Sequence, residues 1–151
     1  MALCGLVVAS ASQLPGPAAR NSPQGAYLQT IQVPNKQGGF DAFQQLINLN
    51  LGGTAIASDV DELDDGPAFG IWRRTGPHQL SSKFLLLDYD ADGVLQTVQR
   101  VTGSSTGSAQ NNLETSSGII EVFLPFQDPT DPDAEPIQTV PFTGTATRLT
   151  F

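Results

Sequence analysis

Cysteine is almost absent from this chain. Cys4 is the only one in 151 residues, so no internal disulfide and no cysteine metal cluster can form. Histidine is as scarce. His78 stands alone after Thr75-Gly76-Pro77, a turn position that gives it solvent rather than a catalytic partner. A serine or cysteine nucleophile would therefore lack a histidine base within a packed site. Basic residues are few: seven Lys and Arg face fifteen Asp and Glu, for a formal net charge of −8. Such a surface repels phosphate backbones and anionic headgroups, which argues against nucleic-acid and membrane partners. No apolar run is long enough to cross a bilayer as a helix. Phosphate-loop, zinc and dinucleotide motifs are missing, and so is any solenoid repeat.

Turn formers are plentiful. Fifteen Gly and eleven Pro, with only 15% charged residues, point to an all-β chain. At 151 residues a single domain is expected, able to bury roughly 70% of its unfolded surface without a staple. The stretch 69–103 is the clearest. Three apolar runs are joined at Gly76-Pro77 and at Asp90-Ala91-Asp92-Gly93. Pro removes a backbone donor and Asp-Gly favours a tight reversal, so this reads as an antiparallel meander. Within its middle strand Leu80, Phe84 and Leu86 share one face, while Lys83, Leu85, Leu87 and Tyr89 share the other.

The rest of the chain extends the pattern. Residues 1–11 have an apolar run and then Ala9-Ser10-Ala11, like the end of a secretory signal, though without a basic start. Cleavage there would remove Cys4 and make the protein secreted or periplasmic; otherwise it is cytoplasmic. Residues 12–26 read as a flexible leader rich in Pro, Gly, Ser and Ala, and 27–151 as the folded domain. A first strand is expected over 27–34. Over 40–51, Phe40, Phe43 and Ile47 fit helical spacing, but Ile47, Leu49 and Leu51 alternate. The Gly52-Gly53 pair favours a hairpin into 54–57. Residues 59–65 form an acidic turn, 104–117 a Ser/Thr/Gly/Asn-rich loop, 119–126 a strand, 127–136 a Pro-rich acidic loop, and 137–151 a last strand. About eight strands with mostly short connections can close into an up-and-down antiparallel barrel, which leaves no free edges.

Several stretches are similar to the small bacterial calycin-like (lipocalin-like) barrel proteins. They are Leu49-Asn50-Leu51-Gly52-Gly53-Thr54, Gly70-Ile71-Trp72-Arg73-Arg74-Thr75-Gly76-Pro77, Asp88-Tyr89-Asp90-Ala91-Asp92-Gly93, Arg100-Val101-Thr102-Gly103 and Thr143-Gly144-Thr145-Ala146-Thr147-Arg148. The resemblance spans about two-thirds of the chain and implies the closed eight-stranded barrel. Many members of that group carry no assigned activity. Lipocalins proper have Gly-x-Trp on the first strand, whereas Gly70-Ile71-Trp72 lies mid-chain, so no ligand residues carry over.

The chemistry expected is that of a barrel interior. A small, partly apolar ligand would be held by Trp72, Arg74, Phe84, Leu86, Glu121 and Phe123. Arg74 could grip a ligand carboxylate, or Trp72 could simply plug the barrel. Glu121, alone among apolar neighbours, needs a partner such as Arg100 or Arg74 if buried. Were it a catalytic acid or base instead, the barrel would be a cyclase- or isomerase-type enzyme. A filled barrel would be a structural or assembly module. Asp88, Asp90, Asp92 and Gly93 match the first half of a calcium loop, but Gln99 stands where the bidentate Glu belongs, which favours a hairpin turn. Three acidic clusters, at 59–65, 88–92 and 128–135, hold twelve of the fifteen acids. Two strands separate each from the next, so all three should share one rim, drawing cations or keeping the protein soluble.

Overall fold

The computed structural model describes residues 22–59, 66–108 and 113–150. The expected signal at 1–11, most of the leader and four acids of the 59–65 cluster lie outside the described residues. Eight strands follow in order: β1 (Gly25–Pro34), β2 (Phe40–Leu49), β3 (Thr54–Asp59), β4 (Ala68–Gly76), β5 (Gln79–Tyr89), β6 (Leu95–Gly107), β7 (Leu113–Phe123) and β8 (Gln138–Arg148). Each bonds to the next, and β8 bonds back to β1, closing an antiparallel barrel. The seam runs from Tyr27 opposite Arg148 to Gln32 opposite Thr143.

The expected turns are where the reversals occur. Asp90 N–H donates to Val94 O at 3.0 Å, and the Asp90 carboxylate accepts from the backbone of Asp92 and Val94. Gly93 takes φ +75° there, a conformation that costs a side-chain-bearing residue about 1 kcal/mol or more. The helical alternative over 40–51 is not what forms, because Ile47 and Leu49 are buried on alternate positions of β2.

The expected 104–117 loop fails, and the strand expected over 119–126 runs instead from Leu113 to Phe123. Most of 104–117 is not loop: Ser104 pairs with Ser117 and Thr106 with Thr115 in the β6–β7 ladder. An antiparallel strand needs apolar residues on one face only. The outer face here is a hydroxyl lattice, in which Thr30, Thr145, Thr115 and Thr106 stand opposite one another across four strands. Thr106 and Thr115 hydroxyls bond at 2.6 Å.

Successive connections alternate between the two ends. At one end lie the 35–39 turn, the end of β3 at Asp59, the β5–β6 turn and the long 124–137 connection. Asp59, Asp90, Asp92, Asp128, Asp131, Asp133 and Glu135 therefore share that acidic end, as the topology predicts. The other end holds the 50–53 and 77–78 turns, the start of β1 and the end of β8. Arg73, Arg74 and Arg148 sit towards it. The buried cluster Tyr27, Ile47, Leu49, Ala55, Ala57, Leu80, Phe84 and Leu113 fills that basic end.

Candidate functional site in the barrel lumen

All eight strands line an internal cavity of about 100 Å³, and the buried cluster forms its wall towards the basic end. For scale, an engineered apolar cavity of about 150 Å³ holds benzene. Its residues towards the acidic end, Phe43, Asp59, Gly66 and Leu86, are partly or fully exposed. Among the described residues the basic end is closed, so their lumen opens at the acidic one. Two phenylalanines shape its walls by lying over glycines in neighbouring strands. Phe84 covers its cross-strand partner Gly70. Phe142 covers the Gly103–Gly118 pair. A methyl on Gly118 would meet Thr102 O, Gly103 Cα and Phe142, so only glycine lets the ring lie this close.

The lining is mostly aliphatic and aromatic, with a few uncharged polar groups. Gln29, 5% exposed, reaches past Gly144 and donates to Ser116 Oγ at 2.5 Å. Its carbonyl accepts from Gln45 Nε2 at 3.1 Å. Gln99, Ser82 and Ser105 line the same space from β5 and β6. No described protein group bonds to their side chains. Asp59, at the mouth, is the one carboxylate among the described lining residues. Sequence reasoning missed the glutamines. The available signal was Gln29 on the same strand face as Tyr27 and Ile31, a polar residue within an apolar row.

Of the six residues expected inside, Phe84 and Leu86 line the cavity. Trp72 packs against the buried cluster at the closed end. Its Nε1 donates to Asn50 O at 3.0 Å, the plugging role. Arg74 is exposed beside His78 and Pro77 at the basic end, away from the lumen, so it cannot grip a ligand there. Glu121 and Phe123 point outward, since Ile120 faces the cavity and neighbours on a strand face opposite ways.

On that outer surface they form a second, small core. Arg100 Nε and Nη2 donate to the two Glu121 oxygens at 2.8 and 3.0 Å. Arg100 Nη1 donates to Pro129 O at 2.6 Å, and its guanidinium lies 4.8 Å from the centre of the Phe123 ring. The 124–137 connection folds back over these residues, with Ile137 N–H on Val122 O and Gln127 Nε2 on Glu135 O. The Arg100 hydrogen bonds hold the Glu121 carboxyl below its usual range. That environment suits a structural ion pair, not a proton donor.

Asp88, Asp90 and Asp92 do not converge as ligands. Asp88 accepts from Thr97 Oγ1 at 2.9 Å. Asp90 is occupied by its own turn and by Gln96 Nε2 at 2.7 Å. Among the described residues no three His, Cys, Asp or Glu gather to hold a metal ion.

Fold and cavity together define a closed eight-stranded antiparallel β-barrel with a narrow, mainly apolar lumen. Comparison with known proteins finds no matching family model, no matching curated protein and no matching solved structure.

Proposed function

We propose that the protein binds one small, uncharged, mainly apolar molecule in the lumen, as a calycin-like carrier exported by the segment 1–11. The carrying observation is the mainly apolar lumen itself, into which the half-buried Gln99 amide faces with no hydrogen bond to another described residue. A polar group left so in an apolar space favours a ligand, or water, that bonds to it. The acidic mouth disfavours anions. The cavity volume limits the ligand to about one ring or a short chain. The simple up-and-down strand order, with β8 on β1, is the order of small-ligand barrels of this size. Glu121 lies outside the lumen, so the cyclase or isomerase reading loses its acid.

Thermal shift with benzamide and benzoate tests this. Benzamide should raise the melting temperature, benzoate should not, and Gln99→Leu should remove the benzamide effect while the barrel still melts cooperatively. Native mass spectrometry of protein from its own source should show a bound small molecule. Equal silence from both probes and a bare mass would leave a filled structural barrel instead.

A further inference from the structure

The outer surface of β2–β5 carries an apolar patch that the lumen does not use. Phe69 stands directly opposite Ile56 on one side and Leu85 on the other. Leu46, Ile71 and Leu87 flank this row. All lie on the outer face, since Ala57, Ala68, Phe84 and Leu86 face inward. Exposures of 45% for Leu46, 39% for Ile56, 62% for Phe69, 63% for Ile71 and 42% for Leu87 are high for residues this apolar. Taking roughly 200 Å² for a large side chain, they leave roughly 500 Å² open per copy. Two such faces would bury roughly 1,000 Å², the threshold for a specific interface.

We propose that this face docks a second copy of the same chain, packed sheet on sheet about a two-fold axis. A self-association must bring together chains of net charge −8, and the charge distribution says how. Along β4 the order from the acidic end is Phe69, Ile71, Arg73. Lys83 stands opposite Ile71 on β5, and the β5–β6 turn with Asp92 lies at the acidic end of the same surface. A pair with acidic ends together would stack like charges. An antiparallel pair sets Arg73 and Lys83 of one copy towards the acidic end of its partner, twice by symmetry. The partner is thus a second barrel running the opposite way, its Phe69 and Ile71 centred on those of the first.

Sedimentation velocity of the full chain over a concentration series is the test. Expected is a concentration-dependent rise from one to two chain masses. Ile71→Glu should hold the protein at one mass with an unchanged circular dichroism spectrum; the exposed site makes misfolding no explanation. Arg73→Asp should weaken association at least tenfold. A single mass at every concentration would overturn the proposal. So would a dimer indifferent to Ile71→Glu, or one that Arg73→Asp leaves untouched.

Discussion

Replacing Gly118 by Ala sets two effects of opposite sign against each other. Removing a glycine from a strand reduces the freedom of the unfolded chain and, where the new methyl fits, stabilises by about 0.4–1 kcal/mol. Here it does not fit. The added carbon would lie 2.7 Å from Gly103 Cα and 2.7 Å from Phe142 Cε1, and nearer still to Thr102 O. Two of the three obstacles are backbone of the paired strand β6, which cannot rotate away. The third is a ring only 7% exposed, held over the glycine pair by the cavity wall. Overpacking of this kind costs about 1–3 kcal/mol, and rigid obstacles push it to the upper part of that range. The net expectation is a loss of about 2 kcal/mol, or about 4–8 °C in melting temperature for a chain of this size. Gly66→Ala is the matched control. No described residue comes within 4 Å of its added carbon, so it should be neutral or stabilise by up to about 1 kcal/mol. Urea melts of the two variants and the parent decide the matter. If Gly118→Ala proved as stable as Gly66→Ala, the reasoning about ring and glycine would be wrong.

Two further outcomes follow from the ionisable groups. Glu121→Gln should cost about 1–3 kcal/mol at neutral pH, since it breaks a charge-assisted pair to Arg100. Because the folded Glu121 pKa is lowered, its contribution is full above the ordinary carboxylate value of 4.5 and lost as pH falls through the folded value. The gap between parent and variant in urea melts should therefore close in acid. Tyr27 behaves oppositely. Its hydroxyl donates to Pro23 O at 2.7 Å, and burial raises its pKa above 10.0 despite the nearby Arg148. Stability from Tyr27 is then full below that value and falls as pH climbs from it towards the folded one. Tyr27→Phe should cost about 1 kcal/mol at neutral pH and should lose less stability than the parent in alkali.

Most of the barrel was legible because its turns are written in residues with one conformational purpose. Asp90 and Gly93, or Gly52 and Gly53, mark reversals whatever the strands beside them do. Alternation in β5 put Phe84 and Leu86 on the inner face, since Lys83, just before Phe84, marks the outer one. The same logic failed in β7. Ile119, Ile120, Val122 and Phe123 are apolar on both faces, because the 124–137 connection buries Phe123 on the outer face while the barrel takes Ile120 on the inner. Period-two reading has nothing to discriminate there, and Glu121 was placed inside. The Ser- and Thr-rich ends of β6 and β7 failed for the converse reason: an outer face paired through hydroxyls resembles loop composition. The acidic rim needed no side-chain pattern, only the rule that connections alternate.

The closing seam fixes more than the barrel's circumference. Arg148 Nη2 donates to Gln24 O at 2.5 Å, so the described chain enters and leaves at one pole, the pole the buried cluster stoppers. A tether, a fusion or a solid support joined at Ser22 or Thr150 would hold the barrel like a cup by its base, with the acidic end turned outward.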